Sequence, residues 1–186
     1  MEEYTSVIMI KEFNKEIMEF LDHSNRIERE YSTQALEDAI KAWNYLKAKS
    51  FLTPEVILAT HNFLMRNLRP DIAGFWRNCD VMIGGHRKFF VSEALVKEDI
   101  VKLCHQTEYV NKIFDGSGSE EYLVKKAHIF FEHIHPFEDG NGRVGRLIYL
   151  WHREKLGLPV HIIHADWKEK GRKGEQSNYY DWFNGS

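Results

Sequence analysis

Apolar positions recur at helical spacing along most of this chain. Ile8, Ile10, Phe13, Ile17, Phe20 and Leu21 give a first, rough stripe. Ser32 and Thr33 are N-cap candidates ahead of a second stripe, Leu36, Ala39, Ile40, Trp43 and Leu46. Ser50 to Thr53 break the pattern. Thr53-Pro54 then restarts it, a cap followed by proline at the first helical position, and Ile57, Leu58, His61, Phe63 and Leu64 follow. His61 reads as a packing or surface histidine. Ser92 is expected to cap a helix bearing Leu95, Val96, Ile100, Leu103 and Cys104. After the loop Asp115-Gly116-Ser117-Gly118-Ser119, Glu120 and Glu121 suit a first helical turn, where carboxylates oppose the positive end of the dipole. Tyr122, Leu123, Ala127, Phe130, Phe131 and Ile134 give that helix a broad apolar face, which predicts a central position. Val144, Leu147, Ile148 and Trp151 form a further stripe that stops near Gly157, with Pro159 beyond. In the tail, Trp167 precedes the aromatic run Tyr179-Tyr180-Asp181-Trp182-Phe183, which predicts a last helix closing onto the core.

One stretch departs from this period. Pro70, Gly74, Gly84 and Gly85 punctuate aromatic and β-branched residues between Arg69 and Phe90. Phe75-Trp76-Arg77, Val81-Met82-Ile83 and Lys88-Phe89-Phe90-Val91 read as extended pieces around a Gly84-Gly85-His86 turn. The expected architecture is an all-α bundle with one small β-hairpin.

With 186 residues, one domain is expected, spanning 1–186, with residues 1–31 as a helical extension. Apolar residues make up 43% of the chain, enough for a core. A formal charge of −3 leaves no basic footprint for nucleic acid, so an anionic ligand must be met by local arginines. Cys79 and Cys104 stand far apart without a C-x-x-C pattern, which argues against a zinc cluster or a disulfide framework. No apolar run approaches membrane-spanning length, and the start, acidic at Glu2 and Glu3, is unlike a signal peptide. A cytoplasmic protein is the expectation.

Between the last two strong stripes lies His135-Pro136-Phe137-Glu138-Asp139-Gly140-Asn141-Gly142-Arg143-Val144-Gly145-Arg146. Backbone N–H groups hold a phosphate best where the chain turns tightly, and glycine permits the positive φ such a turn needs. Gly140-Asn141-Gly142 leads straight into an apolar periodic run, so the turn lies at a helix start, with its unpaired donors and positive end. Arg143 and Arg146 are three apart and share one side of the first turn. Their guanidinium groups match phosphate oxygens in bidentate geometry. Asp139 is a hard oxygen ligand suited to magnesium. His135 takes a proton near neutral pH. Together these residues read as a site for a nucleotide triphosphate.

At every defined position this stretch resembles the motif of the Fic (filamentation induced by cAMP) family, H-x-F-x-(D/E)-G-N-G-R-x-x-R. The resemblance implies an all-helical Fic domain that transfers AMP from ATP to a Ser, Thr or Tyr hydroxyl of a target protein. Carried over, His135 would deprotonate that hydroxyl and Phe137 would anchor the loop in the core. Asp139 would hold Mg2+. Gly140, Asn141 and Gly142 would form the anion hole, and Arg143 and Arg146 would bind the β- and γ-phosphates. Gly140 favours AMP transfer over the phosphoryl or phosphocholine transfer of relatives with Ala-Asn there. Many members carry an inhibitory helix with the pattern (S/T)-x-x-x-E-(G/N). Ser24 and Glu28 match it, so Glu28 would pair with Arg146, whereas Arg29 stands where the family has Gly or Asn. The hairpin resembles the family's flap, G-x-x-R-x-x-x-V-x-I-G, through Gly74, Arg77, Val81, Ile83 and Gly84. Val81, Met82, Ile83 and Gly84 would position the target by strand addition. ATP and a hydroxyl-bearing protein are the implied partners, without nucleic acid or membrane, and with a homo-oligomer left open.

Three other readings compete. A retained Glu28 can orient water for the reverse reaction, removal of AMP. His133 and His135 with Asp139 suggest a metal-dependent hydrolase, since two histidines and a carboxylate are common ligands. A non-catalytic nucleotide-binding module would need the glycines but not the histidine, acid and two arginines together.

Overall fold

The computed structural model describes residues 14–82, 90–113, 119–164 and 182–183. Six α-helices run through them in chain order: α1 (Lys15–Ile27), α2 (Thr33–Lys47), α3 (Pro54–Met65), α4 (Val96–Ile113), α5 (Glu120–Ile134) and α6 (Asn141–Lys155). Between α3 and α4, β1 (Val81–Met82) pairs antiparallel with β2 (Phe90–Val91), with Val81 opposite Val91 and Met82 opposite Phe90. The architecture is all-α with the ends of a small hairpin. The stripe at Ile8–Phe13, the hairpin turn with Ile83, Gly84 and Gly85, loop residues 115–118 and most of the aromatic tail lie outside the described residues.

The helix starts follow their caps. Ser32 Oγ accepts from Ala35 N (3.1 Å) and Thr53 Oγ1 from Val56 N (3.3 Å), each satisfying a donor that has no partner within its helix. Ser92 differs from expectation. It precedes a short 3-10 turn, Glu93–Leu95, and its side chain makes no capping bond, so α4 begins only at Val96. Helix α6 ends as its sequence suggests. Gly157 sits at φ +65°, Gly157 N donates to Glu154 O (3.1 Å) and Leu158 N to Arg153 O (2.9 Å), the paired bonds of a Schellman stop.

The centre of the bundle is α6 rather than α5. Helix α6 packs against α1, α2, α3 and α5, whereas α5 packs mainly on α4 and α6 and leaves Tyr122 exposed. Val144, Leu147, Ile148, Leu150 and Trp151 are buried, and so are the polar side chains Arg143, Arg146, His152 and Arg153. The apolar stripe alone understates this enclosure, because the polar face of α6 is covered too. Arg153 shows how it is tolerated: its Nε donates to Pro159 O (2.8 Å) and its Nη1 to Glu121 Oε1 (2.5 Å) and Tyr149 Oη (3.0 Å). Trp43, Phe20 and Phe131 from other helices fill the space around α6. Trp182 and Phe183 pack on the same core.

Helix α1 also ends in a Schellman stop. Arg29 N donates to Arg26 O (3.0 Å) and Glu30 N to Asn25 O (3.1 Å), with Arg29 in the left-handed region at φ +60°. A side chain there meets the next carbonyl, a cost of about 1–2 kcal/mol that glycine escapes. The turn nevertheless forms, because Arg29 points to solvent and Glu28, one residue earlier, is held from inside the bundle. Arg29→Gly is therefore expected to raise stability by about 1 kcal/mol, read as a higher urea midpoint; an unchanged or lower midpoint would mean that the arginine side chain offsets its own backbone strain.

Candidate active site

The bend from α5 to α6 is closed by one side chain. Asn141 Oδ1 accepts from Phe137 N (2.9 Å) and Asn141 Nδ2 donates to Phe137 O (2.8 Å). Those paired bonds hold five residues in a tight loop, and the Asn141 amide is consumed by them. Gly140, at φ +80°, stands immediately before α6. A Cβ there would also lie 2.9 Å from Met65 Sδ and 3.3 Å from the His61 ring, so both backbone and space call for glycine. Helix α6 makes its first internal bond from Val144 N to Gly140 O (3.0 Å), which leaves the N–H groups of Asn141, Gly142 and Arg143 ahead of the ladder.

Phe137 enters the core completely, between two rings. His61 stacks on it with centroids 3.7 Å apart and planes 4° from parallel, and Trp76 lies 5.1 Å away on a similar plane. His61 does more than pack. Its Nδ1 accepts from Gly74 N (2.9 Å), so its Nε2 carries the proton and donates to Asp139 O (3.1 Å). Burial holds this ring neutral, with its pKa pushed down to about 4.

His135 ends α5 in the left-handed region, at φ 46° and ψ 61°, rare for a residue with a side chain. Arg77 over-determines that geometry. Its buried guanidinium donates to His135 O (2.7 Å), Ile134 O (3.4 Å), Ser92 O (3.5 Å) and Cys79 O (2.5 Å), while its backbone N–H donates to Pro136 O (3.0 Å). A cation on the last carbonyls of α5 suits the negative end of the helix. His135 Nδ1 donates to Glu132 O (3.3 Å), which leaves the lone pair on Nε2. Burial lowers the His135 pKa, with Glu28 and Asp139 opposing the fall.

The two motif arginines are satisfied very differently. Arg146 Nε donates to Ser24 Oγ (2.9 Å), and its Nη2 donates to Ser24 O (2.9 Å) and Glu28 Oε1 (2.6 Å). Glu28 Oε1 lies so close to Gly142 that a Cβ on Gly142 would overlap it. A carboxylate therefore lies against the first turn of α6. Arg143 is also buried, yet its Nη2 reaches only the thioether of Met65 (3.0 Å) and its Nε has no hydrogen-bond partner. Asp139 stands exposed at the mouth, one oxygen accepting from Gly140 N (2.6 Å), and acts electrostatically on Arg143. Its other oxygen and its hard donor chemistry fit a magnesium ion.

Known proteins share this fold and part of this sequence. The profile of the Fic/DOC family matches residues 51–152, more than half of the chain. The chain belongs to the Fic/DOC family. It is 30% identical over 144 residues to the protein adenylyltransferase Fic of Drosophila willistoni, a match covering 75% of this chain and 26% of that protein. The chain thus spans about a quarter of the length of the curated relatives it matches. In fold it is similar to a Fic-domain-containing signaling protein from Bacteroides thetaiotaomicron (TM-score 0.72, 20% identity, covering 90% of this chain and 70% of that one). It is also similar to the BepC protein of Bartonella tribocorum, solved with bound AMPPNP (TM-score 0.56, 16% identity, covering 86% and 85%). No helix among the described residues is long and apolar enough to cross a membrane.

His135, Asp139, Gly140, Gly142, Arg143 and Arg146 line one bend of this Fic domain, and Ser24 and Glu28 reach it from α1. Val81 and Met82 belong to the hairpin that Arg77 ties to the bend, while Ile83 and Gly84 lie outside the described residues. His133, His135 and Asp139 do not converge as a ligand set. Among the described residues the one such group of histidine and acid side chains lies elsewhere.

Two residues of the site escape a reading of the sequence, and Arg77 is read there only as part of the hairpin. His61 is the first. It sits far along the chain from the bend and signals only as a lone polar group in an apolar stretch. Glu132 is the second. Its Oε1 is buried without a hydrogen-bond partner, and a Cβ at Gly145 would overlap it, so Gly145 is what admits this carboxyl between α5 and α6. Burial pushes its pKa up to about 7; Arg146 pulls it down and Glu28 pushes it further up. An acid whose folded pKa is raised binds its proton more tightly when folded. Its stabilising effect is full below about pH 4.5 and is lost as pH rises to about 7. Compared with Glu132→Gln, the wild-type chain is expected to lose about 2–3 kcal/mol across that window, measured by urea unfolding at pH 5 and pH 8. Parallel pH profiles for the two proteins would remove the buried, protonated carboxyl.

Proposed function

We propose that this chain is a protein adenylyltransferase, moving AMP from ATP to a hydroxyl of a target protein. The observation that carries the reading is Arg143: a buried guanidinium with a bare Nε, beside the three open N–H groups of Asn141, Gly142 and Arg143. A guanidinium enclosed without an anionic hydrogen-bond partner is costly, and phosphate oxygens are the groups that fit its fork. The names of the curated relatives and the AMPPNP in BepC support the same reading.

In this mechanism His135 Nε2 takes the proton from a Ser, Thr or Tyr hydroxyl. The hydroxyl oxygen attacks the α-phosphorus in line, a new O–P bond forms, the bond to the bridging oxygen breaks, and pyrophosphate leaves with the electron pair. Gly142, Arg143 and Arg146 hold the β- and γ-phosphates, and most of the acceleration comes from positioning and charge neutralisation. Mg2+ held by Asp139 would neutralise phosphate charge. Among the described residues, the two-stranded β1–β2 hairpin has an unpaired edge that suits an extended target segment laid down as a further strand. His135→Ala should abolish the gain of one AMP seen by intact-mass spectrometry after incubation with ATP and magnesium, while circular dichroism stays unchanged; full labelling of that variant would refute the assignment. Because the His135 pKa is lowered, the neutral base is present at pH 7, and the acid limb of the rate profile is expected below about 6.5.

Glu28 acts as an internal inhibitor. Its carboxylate holds Arg146 and covers Gly142, the two groups a γ-phosphate needs, so ATP settles productively only when Glu28 withdraws. Arg29 does not prevent this, since it makes the left-handed turn that Gly or Asn makes in the family pattern. Glu28→Gly should raise the auto-AMPylation rate by about tenfold or more, equal to ~1.4 kcal/mol; an unchanged rate would remove the inhibitory role. The half-exposed Glu28 carboxylate also favours a second reading, in which it orients water against an AMP-modified target. Release of AMP by the wild-type chain but not by Glu28→Gly would select that direction.

A further inference from the structure

We propose that Glu19, His23 and His164 form a transition-metal site that fastens helix α1 to the chain beyond α6. Their ligand atoms, one carboxylate oxygen and two imidazole nitrogens, all lie within 4.8 Å of one another. The bend that carries the motif uses none of the three.

The local geometry follows from the sequence. Glu19 and His23 are four apart on α1, so both project from one face on successive turns, the spacing that lets paired helical residues bind one ion. His164 comes from a different part of the chain, 141 residues after His23, past the stop of α6 at Gly157. The two imidazole rings meet edge to face, with centroids 4.8 Å apart. A ring contact alone would be ordinary packing. The Glu19 carboxylate converging on the same point makes it a ligand set of two histidines and one acid.

That donor set selects the ion. Mg2+ and Ca2+ take oxygen ligands, whereas two imidazoles with one carboxylate suit zinc and its first-row neighbours. Donors about 2.1 Å from a tetrahedral zinc stand roughly 3.4 Å apart, so the three donors would draw together from within 4.8 Å on taking up the ion. Three protein ligands would leave a fourth position for water.

The consequence lies in what α1 carries. Ser24 follows His23 directly and bonds Arg146, and Glu28 is the last side chain of the same helix to reach the bend. An ion joining Glu19 and His23 to His164 would tie that helix to the body through a second point. This last step rests on the inhibitory reading of Glu28, but the site itself does not.

The test uses the full chain, stripped with a chelator, free of any affinity tag, and titrated with zinc alone by calorimetry. One equivalent is expected to bind. His164→Ala and Glu19→Gln, the second an exposed position, should each weaken that binding by about tenfold or more. Zinc should also slow hydrogen exchange at the α1 amides in the wild-type chain and leave His164→Ala unchanged. No saturable binding, or equal affinity in both variants, would overturn the site. Tight binding at these residues without added protection of α1 would overturn the fastening. Neither readout involves ATP, so failure here and failure of the transferase reading are separate results.

Discussion

Two hydrogen bonds between the Asn141 amide and the Phe137 backbone hold the bend on which the site depends. They set the Phe137 ring between His61 and Trp76 and fix where α6 begins. From that start follow the open N–H groups of Asn141, Gly142 and Arg143, the aim of Arg143 and Arg146, and the distance from both to His135. A loop of this size has few backbone bonds of its own, so its geometry must be imposed from outside. His61 imposes it from α3, bonding Asp139 O on one side and Gly74 N on the other, and Arg77 imposes it from the root of the hairpin. The hairpin and the bend are thus one mechanical unit, although 58 residues separate Arg77 from His135.

The N-terminus of α6 draws negative charge whether or not a nucleotide is present. In this chain the charge comes from Glu28. Its carboxylate lies against Gly142 and pairs with Arg146, the contact on which the proposed inhibition rests. The inhibition proposed for such a contact would need no separate pocket. It would need a helix end that can bring a carboxylate forward and a turn that lets the chain leave again. The Schellman stop at Arg29 supplies that turn, and the preference for Gly or Asn in the family pattern is explained by its left-handed backbone.

Much of this was legible in the order of residues. The caps at Ser32 and Thr53, the stop at Gly157 and the stripe on α6 are local, and local signals survive folding. The motif was legible because its residues are neighbours in sequence as well as in space. Other features depend on contacts between distant segments. The broad apolar face at Tyr122–Ile134 suggested a central helix, yet α6 is the enclosed one, and two of its buried polar side chains, Arg146 and Arg153, find partners on other helices. Ser92 looked like a cap, but the 3-10 turn after it moved the helix start to Val96. Glu132 gave no sign of burial, since only the missing side chain at Gly145, on another helix, makes room for it.

The three buried arginines near the bend differ in how their donors are matched. Burying a guanidinium is unfavourable unless its donors are matched. Arg77 matches them with four carbonyl oxygens and serves the fold alone. Arg146 matches them with Ser24 and a carboxylate that is part exposed, a contact a competing anion can replace. Arg143 has a thioether and a bare Nε. Burial disfavours its charge, while Asp139, Glu28 and Glu30 support it at longer range. A fold selected only for stability would fill that position with an apolar side chain, as replacements of buried ionic groups show. Of the three, Arg143 is the one left with an unmatched donor, which the proposed binding of a phosphate would complete.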